Sequence, residues 1–216
     1  MVKYEKNFTP LCLVDETREK AFQKNIKEKK YNSNNDTYKC KNGNINQIAN
    51  HLKKIYKNKC AYCETKFNRS YIKIEHYRPK NSKYYKNYYF LAYSWSNLLP
   101  ICDICNNTKL DYFDIEDNEN RIIYNNETLK DIQYNTKKYN KIEKPLFIHP
   151  EYDEYDKLFS FNNKGKMVTF DKRLRYTRIK ANLNEKYLKD RRATVINDFR
   201  NLIDESIFLF RFLETK

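Results

Sequence analysis

Two Cys-x-x-Cys pairs constrain this chain more than any other feature: Cys60-Ala-Tyr-Cys63 and Cys102-Asp-Ile-Cys105, separated by the stretch from Glu64 to Ile101. A two-residue gap puts both thiolates of a pair on one turn, facing one metal. In a reducing compartment, paired units of this kind favour a tetrahedral zinc site with four cysteine ligands over disulfides. The start Met-Val-Lys-Tyr-Glu-Lys lacks an apolar signal core, and the longest apolar stretch, Ile207–Leu213, is interrupted by Arg211. The expectation is therefore a soluble, cytoplasmic protein with no membrane segment. Four sulfurs fill a zinc site, so Zn²⁺ held by Cys60, Cys63, Cys102 and Cys105 is structural, on the order of 10–16 kcal/mol of apparent binding energy that makes folding conditional on metal. Cys12 and Cys40 stand apart and are expected as unligated thiols.

Between the pairs, Tyr71-Ile-Lys-Ile-Glu-His76 alternates and is β-branched, so it reads as a strand that Pro79 ends. Glu75 and His76 then stand side by side at the strand exit, on opposite faces if the strand stays regular. Lys80, Lys83, Tyr84, Tyr85, Lys86, Tyr88, Tyr89 and Tyr93 interleave cations with aromatic rings. Such a stretch can stack bases while holding phosphates, and it can equally pack on the zinc unit. Trp95–Ile101 reads as a second, apolar strand with a turn at Asn97. A helix after Cys102, with Asp103 near its start, carries Asn106 and Lys109 on one face.

At 216 residues the whole chain suits one domain of α+β class. Glu16–Lys30 has a charged helical pattern with Phe22 and Ile26 on one side, for peripheral packing. Residues 31–44 read as a loop. A helix with Asn44 as N-cap runs to about Tyr56, with Ile48, Leu52, Ile55 and Tyr56 on one face and His51 as a surface or packing residue. Residues 111–144 are polar and Asn-rich, with strand-like Arg121–Tyr124, and read as a mobile insertion. Leu158–Phe161 and Lys166–Phe170 form a hairpin through Gly165. His149 has no ligand spacing and reads as a structural loop residue. From Asn184 to about Leu213 a long helix carries Leu188, Val195, Phe199, Leu202, Ile203, Phe208 and Phe210, more apolar surface than a lone helix can expose, so it packs on the core or meets a partner. With two glycines in the whole chain, no Gly-rich phosphate loop can be built, which excludes a nucleotide-hydrolysing or dinucleotide-binding domain. The net charge of +15 fits a polyanionic partner, but A/T-rich coding explains the same Lys, Asn, Tyr and Ile content.

Taken together, C-x2-C, an acid-His pair on a strand, Asn-Leu-Leu, then C-x2-C-Asn-x-x-Lys resembles the zinc-containing HNH endonucleases, the ββα-metal nucleases. More narrowly, Cys-Ala-Tyr-Cys-Glu, Ile-Glu-His-Tyr-Arg-Pro-Lys and Trp-Ser-Asn-Leu-Leu resemble the PtuB family of Septu and retron-Septu anti-phage systems, as do Pro145–Pro150, Phe159-Ser-Phe and Leu183-Asn with Leu188 and Arg191. The resemblance implies a ββα-metal HNH core on a four-cysteine zinc knuckle, flanked by N-terminal helices and a long C-terminal helix. It divides the chain into an N-terminal arm and helix (1–45), the nuclease core (46–112), an insertion and hairpin region (113–183) and a partner-binding C-terminal helix (184–216). It makes His76 the general base that activates water, a task its ordinary pKa of about 6.5 suits. Glu75 and Asn106 become the ligands of one catalytic Mg²⁺, or Mn²⁺, Asn97 a loop-ordering residue that positions His76, and Lys109 and Arg78 groups near the scissile phosphate. Glu replaces the commoner Asp at position 75 and is one methylene longer. Asn replaces the frequent His at 106, and its neutral carbonyl oxygen suits Mg²⁺ better than imidazole.

The implied partners are nucleic acid, a PtuA-like ATPase and, for the retron form, a reverse transcriptase with its msDNA. DNA is the expected substrate. The same groups would serve on RNA such as tRNA, and a non-catalytic zinc-knuckle binding module is the alternative in which Glu75, His76 and Asn106 are incidental.

Overall fold

Residues 73–109 fold as strand, strand and helix, and the reason lies in which positions can be buried. The computed structural model describes residues 4–31, 47–67, 72–85, 88–125, 127, 131–132 and 136–214, with side chains to Ile207 apart from Gln47. β1 (Lys73–His76) pairs antiparallel with β2 (Leu98–Ile101), in a register running from Lys73 opposite Ile101 to His76 opposite Leu98. β2 is Leu-Leu-Pro-Ile and buried throughout. A two-stranded ribbon tolerates Pro100 because the missing N–H lies at an edge. Its carbonyl instead accepts the Ala61 N–H at 2.9 Å, which ties the first cysteine turn to the sheet. The chain passes straight from β2 through Cys102 into α3 (Asp103–Lys109).

α1 (Glu16–Glu28) is capped by Asp15, whose carboxylate accepts the Arg18 N–H at 2.9 Å, and ends at Lys29 in the left-handed region, φ 50°. Phe22 and Ile26 pack on the core from its edge, as their spacing predicts. α2 (Gln47–Ile55) contacts β2 and, with the residue after it, buries Ile48, Leu52 and Tyr56 completely. The Asn44 cap, Gly43 and Cys40 lie outside the described residues. Cys12 is not a free thiol: it is disulfide-bonded.

In the stretch after α3, expected as a mobile insertion, several described residues are bonded into the core. Arg121–Tyr124 forms no strand, because its polar groups are spent elsewhere. Arg121 donates to the Phe113 carbonyl at 2.9 Å and to the Tyr88 hydroxyl at 3.0 Å, and the Ile122 N–H goes to the Glu143 carboxylate at 3.1 Å. α4 (Thr136–Glu143) delivers Glu143, wholly buried, into the middle of this network. There it also accepts from Arg78 Nε at 2.7 Å and Tyr88 OH at 2.8 Å.

The hairpin is present, with β3 (Ser160–Phe161) paired to β4 (Met167–Val168). Gly165 is required there: φ is +66°, and a Cβ would stand 2.0 Å from the Lys189 carbonyl oxygen. α5 (Lys172–Lys180) is an element that the apolar pattern does not announce; its signal is the cap, Asp171 accepting the Leu174 N–H at 2.8 Å. α6 (Lys186–Glu214) buries Leu188 but leaves Val195, Phe199 and Leu202 at least 60% exposed. No helix among the described residues is long and apolar enough to cross a membrane. His149 is buried between the tilted rings of Tyr77, 4.2 Å away, and Tyr152, 4.5 Å away, and burial holds its pKa well below the usual histidine range.

The Arg78–Glu143 pair should dominate the stability of this half of the chain. Glu143→Leu leaves Arg78 buried with Asn140 alone to accept from its guanidinium among the described residues and should cost roughly 3–5 kcal/mol in urea unfolding with zinc present. Arg78→Met combined with Glu143→Leu should cost less than Glu143→Leu alone; equal or larger loss in the double variant would mean that the charge is not the issue.

Candidate active site

The four paired cysteines converge. Their sulfurs lie within 4.8 Å of one another, and none is in a disulfide. Cys63 Sγ and Cys102 Sγ are 3.6 Å apart, close to the edge of about 3.8 Å expected for a tetrahedron with Zn–S of about 2.3 Å. The first pair sits on a knuckle in which Cys60 N–H donates to Thr65 O at 3.0 Å, Glu64 N–H donates to Cys60 O at 3.1 Å, and Glu64 turns the chain at φ 59°. The second pair spans the start of α3, and the Cys102 N–H points at Cys60 Sγ, 3.4 Å away. Without a cation, such a cluster divides its protons: burial pushes the Cys60 thiol up, while hydrogen bonds from neighbouring thiols push Cys63 down. Four sulfurs at these spacings fit zinc.

Beside the knuckle, β1, α3 and the residues after each enclose a cleft of about 550 Å³. Glu75, His76 and Asn106 all line it. The alternation rule would put Glu75 and His76 on opposite faces, and the structure does not. His76 is the last residue of β1, where Tyr77 and Arg78 bend away and the Tyr77 N–H crosses to the Asn97 carbonyl at 2.9 Å.

His76 Nε2 lies 3.0 Å from the Ala92 carbonyl. A carbonyl only accepts, so Nε2 carries the proton and the basic lone pair is on Nδ1. Burial, and then the Lys80 ammonium, holds its pKa well below 6.5. The Ala92 carbonyl and the buried setting thus keep a neutral imidazole in one tautomer. Glu75 is also buried, and that burial raises its pKa above the ordinary carboxylate range against the pull of Lys109. The oxygen donors Glu75 and Asn106 in one cleft suit Mg²⁺, which keeps several waters and takes one or two protein oxygens together with substrate phosphates.

Asn97 is buried beneath the bend. Its Oδ1 accepts the Arg78 N–H at 2.8 Å, and its Nδ2 donates to the carbonyls of Arg78 at 3.0 Å and Leu91 at 3.2 Å. It therefore pins both ends of the long β1–β2 connection around His76.

Two placements at the scissile phosphate are corrected. Arg78 does not line the cleft: its guanidinium is 1% exposed and is committed to Glu143 and, at 2.8 Å, to Asn140. Lys109 is wholly buried. Its ammonium forms an ion pair with Glu75 and donates to the His76 carbonyl at 3.3 Å, which places it under the carboxylate and not at the surface. Motif spacing reports that these cations are near the histidine; it does not report on which side of it they lie. Sequence reasoning missed Asp111, which lines the cleft and whose Oδ2 accepts the Lys83 N–H at 2.9 Å. Lys80 also lines it, with its ammonium 4.0 Å from the Tyr31 ring.

Comparison with known proteins locates the same segment. Residues 60–111 match the sequence model of the family HNH, described as HNH endonuclease. Over 84 residues, 34% of this chain and 28% of the relative, the chain is 45% identical to the Septu protein PtuB of Bacillus mycoides (strain KBAB4). Over 60 residues, 27% of the chain and 21% of the relative, it is 40% identical to the Septu protein PtuB of Bacillus thuringiensis. A longer alignment of 159 residues, 70% of the chain and 21% of the relative, is 27% identical to the Septu protein PtuA of Bacillus mycoides (strain KBAB4). The chain spans between 21% and 28% of the length of these curated relatives. No solved structure matches.

The cysteine cluster predicts one zinc per chain by elemental analysis. Cys102→Ser should lower zinc occupancy and reduce the melting temperature by roughly 10 °C or more, since about 2–4 °C accompany each kcal/mol in a chain of this size. A variant that melts within about 2 °C of wild type would show that the cluster does not hold the fold.

Proposed function

We propose, for a chain whose residues 60–111 are an HNH endonuclease domain, that it hydrolyses phosphodiester bonds of nucleic acid, with DNA as substrate, in a Mg²⁺- or Mn²⁺-dependent reaction. The observation that carries the reading is the fixed tautomer of His76 inside a cleft shared with Glu75 and Asn106. Held by Ala92 through Nε2, the imidazole takes a proton from water at Nδ1. Glu75 and Asn106 would hold the divalent ion, which supplies charge stabilisation at the phosphate and the leaving oxygen. Lys109 positions Glu75 from below, its ammonium offsetting part of the burial that raises the carboxyl's pKa. Asn97 positions His76 by fixing the turn that follows it.

The likeness to Septu proteins supports a role as the nuclease effector of an anti-phage complex with a PtuA-like ATPase. The exposed apolar side of α6, at Val195, Phe199, Leu202 and Ile203, is the surface that would meet that partner.

Purified wild-type and His76→Ala protein, zinc content matched and the ATPase co-expressed, should be compared on plasmid DNA and on total tRNA with Mg²⁺ or EDTA. Wild type should cut only with Mg²⁺, and the variant should lose about 10²- to 10⁴-fold or more. Equal cutting by both would remove His76 from the chemistry. Binding of nucleic acid without cutting by either would leave a zinc-knuckle binding module.

The pH dependence follows from the direction of the histidine shift. A depressed pKa means that His76 is already neutral at pH 6.5, so acidification from about pH 8 to 6.5 removes none of the base form. Single-turnover cleavage at saturating Mg²⁺ should show its acid limb below pH 6.5; a limb centred at or above 6.5 would contradict the buried environment.

A further inference from the structure

The hydrolytic groups occupy one part of the cleft, and two aromatic rings occupy another. Tyr84 and Tyr112 both line it. Their rings are parallel to within 5°, with centroids 6.4 Å apart. That separation is near the outer end of the range for two aromatic side chains stacked on each other. Centroid to centroid it falls somewhat short of roughly 6.8 Å, twice the spacing of about 3.4 Å between successive bases that two rings with one base between them need, so the exposed Tyr84 side chain must shift outward to admit one. Tyr84 is 67% exposed, an unfavourable disposition for an aromatic side chain.

The surroundings hold the two rings in place. Lys83 N–H donates to Asp111 Oδ2 at 2.9 Å, joining the segment that carries Tyr84 to the one that carries Tyr112. The Tyr84 N–H is itself taken by Ser82 Oγ at 3.1 Å. Tyr85, edge-on to Tyr84 at 6.2 Å, is anchored through its hydroxyl to Asp114. From α5, the Lys180 ammonium stands over the Tyr112 ring at 3.4 Å, with Tyr176 as its second ring at 5.9 Å. A pair of rings braced in this way needs little further ordering to accept a third.

We propose that Tyr84 and Tyr112 clamp one unpaired nucleobase beside the phosphate to be cut, so that the cleft selects single-stranded or locally opened nucleic acid over intact duplex. A base inside a duplex already has both faces stacked and cannot enter between two tyrosines; an unpaired one can, whichever base it is. This deepens the nuclease reading and rests on it. DNA and RNA offer the same π-face, so the clamp selects for strandedness and not for sugar.

The test uses the full, zinc-loaded chain in the His76→Ala background, so that probes survive. Probes are single-stranded DNA and single-stranded RNA, each with one 2-aminopurine, and a blunt DNA duplex. Binding is read by anisotropy and stacking by quenching of the 2-aminopurine. Tyr84→Ala should weaken single-strand binding about tenfold and abolish the quenching, while duplex binding stays within about twofold. Tyr84→Phe should retain both, and Tyr112→Ala should match Tyr84→Ala, with the double variant little worse than either. Quenching on the DNA probe, the RNA probe or both supports the clamp and names the sugar it accepts. Unchanged single-strand binding in Tyr84→Ala, or equal losses on single strand and duplex, would overturn it and return the pair to a surface contact. Cleavage of single-stranded circular DNA and of single-stranded RNA by the chain with His76 intact is measured alongside: cutting without a Tyr84 effect defeats the clamp alone, whereas neither cutting nor binding of any probe defeats the nuclease reading with it.

Discussion

Four sulfurs within 4.8 Å of one another are the constraint on which the rest of the site depends. As thiolates they repel; as thiols they hold little together. Only a cation makes the cluster cohesive, and the elements it joins have few other means of staying in register. α3 has seven residues, too few for a helix stable on its own, and Cys102 caps it without a side-chain hydrogen bond. Its first turn is fixed by Cys105 in the cluster and its last by Lys109 in the ion pair with Glu75. The cysteine cluster and the candidate reaction centre are thus attached to opposite ends of one short helix, and disorder at the first would be transmitted to the second within two turns.

The reaction centre itself is built by burying polar groups against one another. Glu75 sits over a wholly buried lysine, and His76 sits against a carbonyl. Each arrangement costs desolvation and would be unfavourable without its partner. What they provide is a defined state: one tautomer for the imidazole and one orientation for the carboxylate. The same logic extends outward through Arg78 to Glu143, so that Arg121, Ile122 and Glu143 join one network with the turn that follows His76. Those residues support the site from behind, which the polar composition around them does not suggest.

Legibility in the sequence divided along these lines. Features that depend on spacing were readable: the cysteine pairs, the strand ending at His76, the turn at Asn97, the helix after Cys102 and the apolar face of α2. Features that depend on which partner a polar group finds were not. Arg121–Tyr124 looks like a strand until the Ile122 N–H is seen to belong to Glu143. α5 has too weak an apolar stripe to be seen, being set by its Asp171 cap and by Leu174 and Thr177 packed inside. Cys12 looks unattached because the local sequence says nothing of what its sulfur meets.

Charge shows the same limit and bears most directly on function. Counted along the chain, the excess of +15 suggests a cationic surface around the site. In the folded protein Arg18, Arg78, Lys109 and Arg121 are buried, and Lys6 is sunk against Glu151 at 2.8 Å with further bonds to the Trp95 and Leu98 carbonyls. The cations closest in sequence to the catalytic motif, Arg78 and Lys109, serve the interior. The cations at the cleft are Lys80 and Lys83, on the β1–β2 connection beside Tyr84, with Lys180 reaching the Tyr112 ring from α5. The positive charge that lines the cleft thus stands on the side where the two tyrosines are, with Lys80, Lys83 and Tyr84 on the long β1–β2 connection and Tyr112 on the segment after α3.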